Sequence, residues 1–121
     1  MRHQRRGRKF GRIKDQRRAL MKTMLGSLIM HEKIETTEAK AKELKNKIDP
    51  LVNKAKRAGD SKEKKVAAMR YLAKYIPYSA AQKLTGDFAK KLTGRQSGYT
   101  RVIKLARRKS DGARMAIIEF V

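Results

Sequence analysis

The sequence predicts an α+β chain: about four helices, a short strand and a C-terminal antiparallel hairpin, preceded by an extended basic arm. Three observations carry this. Apolar residues recur at helical spacing through the middle of the chain, and the last stretch changes to β-branched runs around a turn signal. The first eighteen residues hold nine Lys or Arg and one acid, Asp15, and show no period able to bury them. The organisation expected is an arm over residues 1–14 and a single α+β domain over 15–121, since 121 residues support one modest core.

The first eighteen residues hold +8 of the chain's formal +22 and select their cations, with seven Arg and two Lys against seven Arg and seventeen Lys in the remainder. Guanidinium is a planar five-donor fork that grips phosphate bidentately and stacks on bases, whereas ammonium is a hydrated point charge. A solvated tail needs neither this bias nor Gly7, Gly11 and Phe10, so the arm reads as a nucleic-acid contact. Arg2, His3, Arg5, Arg6, Arg8, Lys9, Arg12 and Lys14 are its candidate ligands, and Phe10 is a candidate wedge or stacking ring.

After the arm, Leu20, Met21, Met24, Leu25, Leu28 and Ile29 form one helical stripe, with Asp15 as the expected N-cap. Arg17, Arg18 and Lys22 fall off the stripe and carry the basic surface onto the body. Gly26 in the interior costs about 1 kcal/mol against Ala unless something packs closely there. Lys33 to Thr36 suits a short strand, and Thr36 or Thr37 is placed to cap the next helix. That helix buries Ala41, Leu44, Ile48, Leu51, Val52 and Ala55, with Asp49-Pro50 expected to kink it or to break it so that Asp49 caps a new segment. Its pairs Glu38 with Lys42 and Glu43 with Lys47 follow the favourable i, i+4 order, so part of its lysine is solvated surface.

Ala58 to Ser61 reads as a loop. A third helix is expected from Lys62 to Tyr75, with Val66, Met69, Leu72, Ala73 and Ile76 inward, ended by Pro77. Ser79 is placed to cap a fourth through Leu84, Phe88 and Leu92, closed by Thr93-Gly94. Tyr99 to Arg107 and Arg114 to Val121 flank Lys109-Ser110-Asp111-Gly112, a hairpin signal. Arg95, Tyr99, Thr100 and Arg101 at its entrance form a second RNA-binding candidate, with Tyr99 open to two readings: a ring for stacking, or the start of the hairpin's buried face.

Catalysis has little to work with. His31-Glu32-Lys33-Ile34-Glu35 begins like a zinc-protease helix but places Glu35 where the second His ligand belongs, and the glycine-containing segments lack the spacing of a phosphate-binding loop. The chain has no cysteine. Neither enzymatic activity nor a metal or other cofactor is expected. No apolar run reaches the length of a membrane span, and neither a secretory signal nor a transit peptide is expected.

Met1-Arg2-His3 with its basic, glycine-punctuated arm, Ser27-Leu28-Ile29 with His31-Glu32, Ile34-Glu35-Thr36-Thr37 and Ala39-Lys40-Ala41-Lys42-Glu43-Leu44 occur here in one order. With Arg95 to Val102 and Met115-Ala116-Ile117-Ile118-Glu119, these blocks closely resemble the bacterial large-subunit ribosomal protein family numbered seventeen. The resemblance spans essentially the whole chain; Gln4, Asp15-Gln16 and Ser97 depart from the family's usual residues. It implies helices packed on a small sheet, a structural role in the large ribosomal subunit, binding of 23S ribosomal RNA and a position near the polypeptide exit region; Lys40, within one of the matching blocks, is a further RNA-binding candidate. The resemblance also implies neighbouring large-subunit ribosomal proteins as partners and a cytoplasmic location in the bacterial ribosome. No membrane, small-molecule substrate or homo-oligomer is expected. Composition alone supports polyanion binding and leaves a DNA-binding architectural protein as the alternative.

Overall fold

The computed structural model describes residues 7–59 and 61–121. Helix α1 (Lys14–His31) leads into strand β1 (Lys33–Thr37) and the long helix α2 (Glu38–Ala58). Helices α3 (Lys62–Leu72) and α4 (Tyr78–Lys83), a wide turn (Leu84–Phe88) and the short helix α5 (Ala89–Lys91) follow, before strands β2 (Thr100–Lys104) and β3 (Met115–Phe120). The sheet is antiparallel in the order β1-β3-β2, with Ile118 of the central strand facing Ile34 on one side and Val102 on the other.

One apolar cluster unites these elements. Leu25, Leu28 and Ile29 of α1, Leu44, Ile48 and Val52 of α2, Leu72, Ile76 and Leu84 beyond it, and Ala116 and Ile118 of β3 are all buried. Helix α2 is the central member, packed against α3 and against β2 and β3. Phe88 meets Phe120 edge-on at 4.9 Å between ring centroids, fastening the helical half to the sheet.

Several sequence expectations give way to tertiary packing. Asp15 is not the N-cap of α1; Ile13 holds that position, and Asp15 sits in the first turn, where its charge still suits the helix dipole. Thr37 occupies the cap position of α2, though its side chain makes no capping bond. Pro50 does not end α2, which continues through it to Ala58. A proline inside a helix costs about 3 kcal/mol. Burying a large aliphatic side chain gains about 1.5–3 kcal/mol each, and Ile48, Leu51 and Val52 around the proline are all buried, so burial wins.

Helix α3 stops at Leu72, before a run of turns, rather than reaching Tyr75 and Pro77. Val66 and Ala73, expected inward, are exposed, and Ala68 is buried instead. The stripe that meets α2 is therefore rotated. Pro77, not Ser79, precedes α4, and the helix expected to run on through Leu92 is interrupted at Gly86 (φ −89°, ψ −141°). Its two halves turn Leu84 and Phe88 into the same core.

Gly26 lies where α1 meets Pro77. A Cβ at this position would stand 2.6 Å from Pro77 Cδ, inside any permitted contact, so absence of a side chain is what lets the chain cross α1 here. The end of α1 is fastened by Lys83, whose ammonium donates to the Met30 carbonyl at 3.0 Å and pairs with Glu32 at 3.2 Å.

Candidate nucleic-acid interface

Residues 7–13 of the arm fold back on the body. The Arg12 N–H donates to the Lys9 carbonyl at 3.1 Å across Phe10 (φ 53°) and Gly11 (φ 63°), a turn with two successive left-handed residues. Glycine accepts this conformation readily, whereas phenylalanine is strained in it by about 1–2 kcal/mol. The strain is held because the Phe10 ring packs against the core. Phe10, a candidate wedge or stacking ring, anchors the arm to the body here. Arg12 Nη1 donates to the Phe10 carbonyl at 2.7 Å and Arg17 Nη1 to the Arg12 carbonyl at 3.4 Å, which ties the turn to α1.

Arg8 Nη1 lies 3.5 Å from the Glu43 carboxylate, which also sits 3.9 Å from Lys47 Nζ. Glu43 is 93% buried, leaving 7% exposed, so it needs both cations. Sequence periodicity identified its lysine partner; the arginine, distant in the chain, was beyond the reach of local pattern. Between this contact, α1, α2 and the turn after α3 runs an open groove of about 1060 Å³. Arg8, Lys9, Arg17, Arg18, Lys22, Lys47 and Lys74 line it, with Glu43 as the acid among its wall residues. Tyr71, Tyr75 and Pro50 supply part of its apolar wall.

The structure therefore brings Arg8, Lys9, Arg17, Arg18 and Lys22 of the sequence candidates together. Lys14 opens α1 at an exposed position, and Lys40 is half-buried in the first turn of α2, outside the groove wall. Arg2, His3, Arg5 and Arg6 lie outside the described residues. Lys47, Lys74, Tyr71 and Tyr75 were not singled out from sequence. The available signal was the i, i+4 tyrosine pair flanking Lys74, which was read as the end of a helix.

The second candidate segment divides. Tyr99 and Thr100 are buried, so neither is presented to a nucleic acid, and the core reading of Tyr99 prevails. The Tyr99 hydroxyl is 2.6 Å from Asn53 Oδ1 and 3.0 Å from the Arg95 carbonyl as possible acceptors, and it accepts from Lys56 Nζ at 2.9 Å. Lys56 also donates to the Arg95 carbonyl. Asp49, a cap only if the helix broke at Pro50, accepts from the N–H groups of Gly98 at 3.1 Å and Tyr99 at 3.4 Å. Gly98 takes φ 64° to present its N–H there. This clasp holds the loop on α2 and leaves the Arg95 and Arg101 side chains exposed.

Three of the hairpin's six cations are matched by acids. Arg101 pairs with Glu119 at 2.8 Å, Lys104 with Glu38 at 3.7 Å, and Arg108 grips Asp111 through two nitrogens at 2.9 and 2.5 Å. The Arg108 hydrogen bonds, with the Ala113 N–H, hold Asp111 down at about 2, and the same contact raises Arg108. Glu38 is lowered chiefly by its hydrogen bond from Lys42 and further by Lys104 and Arg114.

Among the described residues no cluster of His, Cys, Asp and Glu suits a metal ion, and no helix is long and apolar enough to cross a membrane. Fold and groove together define a small basic α+β protein with a concave, cationic face. The Ribosomal protein L17 family model matches residues 20–121, and the chain belongs to that family. It is 45% identical to the large ribosomal subunit protein bL17 of Staphylococcus carnosus (strain TM300), with 94% of this chain and 98% of that protein covered. It is 44% identical to bL17 of Shouchella clausii (strain KSM-K16), over 93% and 97% of the two chains. To bL17 of Sorangium cellulosum (strain So ce56) it is 38% identical, over 100% of this chain and 83% of the other.

Proposed function

We propose that this protein is a structural constituent of the large ribosomal subunit that binds 23S ribosomal RNA and stabilises its phosphate-dense packing. The site lies near the polypeptide exit region, beside other large-subunit proteins, in the cytoplasm. The observation that carries the reading is the groove, where seven basic side chains face one buried acid on a chain of the L17 family. Phosphates brought together by RNA folding repel one another. Cations fixed on a rigid wall offset that repulsion without having to be ordered at the moment of contact. The residues that act are Arg8, Lys9, Arg17, Arg18 and Lys22 in the groove, continued by Arg2, His3, Arg5, Arg6, Arg12 and Lys14 of the arm, with Arg95 and Arg101 as a separate exposed pair and Lys40 flanking. Their work is electrostatic and positional, and no bond is made or broken.

Fractionating one lysate into ribosomes and nucleoids tests the reading. The protein is expected with the large subunit and absent from the nucleoid, and removing residues 2–12 is expected to release it from the subunit at moderate salt. Recovery with the nucleoid would establish the DNA-architectural alternative instead.

A further inference from the structure

The groove's tyrosines ask more of a ligand than negative charge. Tyr71 and Tyr75 stand with ring centroids 5.3 Å apart at 51°, at the junction where α3 gives way to turns. Lys54 Nζ, which is not part of the groove wall, lies 5.0 Å from the centre of the Tyr71 ring and supports it. Tyr75 keeps 45% of its surface exposed, and Lys74 and Lys47 line the same groove. A tyrosine left open in a concave, cationic wall has no role in neutralising phosphate. It matches a nucleobase, whose π-face stacks on aromatic rings while its own phosphates meet the surrounding ammonium and guanidinium groups.

We propose that Tyr75, backed by Tyr71, is a stacking platform for one unpaired RNA nucleotide, so that the groove takes single-stranded or bulged RNA rather than a continuous duplex. This rests on the RNA-binding reading above and specifies its ligand. Bases in a duplex are already stacked on one another and present only edges to a protein, so a ring on a groove wall gains nothing from them. An extruded base offers its face. Charge recruits the strand, and the ring selects the strand conformation.

The full chain is tested against an oligouridine of about ten nucleotides, the same oligomer with abasic sugars, and a duplex RNA with an equal number of phosphates. The chain has four Tyr and no Trp, so tyrosine emission reports ring stacking directly. The base-bearing oligomer is expected to quench that emission and to bind more tightly than its abasic counterpart. Tyr75→Leu should weaken binding of the base-bearing oligomer by about 5- to 150-fold and abolish the extra quenching. Duplex affinity should stay the same, and Tyr75→Phe should bind as wild type. Tyr78→Leu removes another exposed ring outside the groove wall and should be silent.

Unchanged oligouridine binding by Tyr75→Leu would overturn the platform. So would equal affinity for the abasic oligomer, a Phe variant as weak as the Leu variant, or polyglutamate binding as tightly as oligouridine. If both RNAs bind with steep salt dependence while Tyr75→Leu is silent, the platform alone falls. If neither RNA binds at low salt, the RNA-binding reading falls with it. Matching thermal midpoints of wild type and Tyr75→Leu are required, and a folded variant is expected because Tyr75 is exposed.

Discussion

The groove and the C-terminal hairpin are both rich in Lys and Arg, yet they use them differently. In the hairpin, Arg101, Lys104 and Arg108, three of six cations, each have an acid of their own within 4 Å, and these pairs fix strand register and turn shape. In the groove, seven cations share Glu43, and that acid is buried where it orients Arg8 and Lys47. Composition cannot distinguish a stapled cation from an available one. Placement of the acids does.

The largest expected effect follows from that contrast. Changing Arg17, Arg18 and Lys22 together to Gln should lower affinity for large-subunit RNA by about one decade per cation near 0.1 M salt and reduce the salt slope by about one unit each. Changing Lys33, Lys104 and Arg108, each paired with an acid, to Gln removes the same formal charge and should alter the slope far less. Binding titrations at several salt concentrations would measure both. Equal slopes for the two triple variants would mean that total charge, not the groove, governs binding.

Next in size is the scaffold beneath the groove. Gly26→Ala sets a methyl against the Pro77 ring and should destabilise the fold by about 1–3 kcal/mol, the cost of overpacking a close contact. Alanine is the better helix former in isolation by about 1 kcal/mol, so a stabilised variant in thermal unfolding would show that Pro77 moves aside freely.

A smaller effect separates binding from structure at the second loop. Tyr99→Phe removes a buried hydroxyl from the Asn53, Lys56 and Arg95 network and should cost about 1–2 kcal/mol of stability. Because Tyr99 is buried, the RNA salt slope should remain that of wild type. A changed slope with an unchanged melting midpoint would return Tyr99 to the interface.

The sequence was legible where one periodic pattern met one consequence. The stripes of α1 and α2, strand β1 and the Asp111-Gly112 hairpin follow from local spacing, and the condition attached to Gly26 names the kind of contact that Pro77 makes. What escaped required long-range knowledge. At Pro50 a kink and a break both looked open, because the proline's local cost is visible while the burial that outweighs it is not. Val66 and Ala73 fit an apolar stripe, but the face of α3 is set by where α2 lies. Phe10 and Tyr99 were aromatic residues beside arginines, a pattern shared by stacking rings and by anchors, and only packing separates them. The groove's basic wall on α1 was readable as residues off the apolar stripe. Its aromatic wall comes from more than forty positions away, at Tyr71 and Tyr75, where no pattern near the arm could point.

The smallest effect probes how a matched cation serves the fold. Asp111 titrates at about 2 in the native hairpin because Arg108 and the Ala113 N–H stabilise its charged form, below the roughly 3.9 of an unconstrained aspartate. A depressed carboxylate contributes stability that is complete above its unfolded value and is lost as pH falls through its folded value. The turn at 108–113 should therefore hold at neutral pH and loosen between about pH 4 and 2, with the Ala113 amide, 3.1 Å from Asp111 Oδ1, as the reporter by NMR. Asp111→Asn keeps an acceptor but cannot titrate, so its Ala113 signal should lose the transition near pH 2. The turn is exposed, and salt screens its ion pair, so global stability should barely respond in either chain. RNA affinity at neutral pH should shift only as far as one extra free guanidinium allows, because Arg108 lies outside the groove wall. A large gain in affinity on freeing Arg108 would show that the hairpin carries latent contacts held in check by their own acids, and the contrast between the two regions would become one of regulation rather than of division of labour.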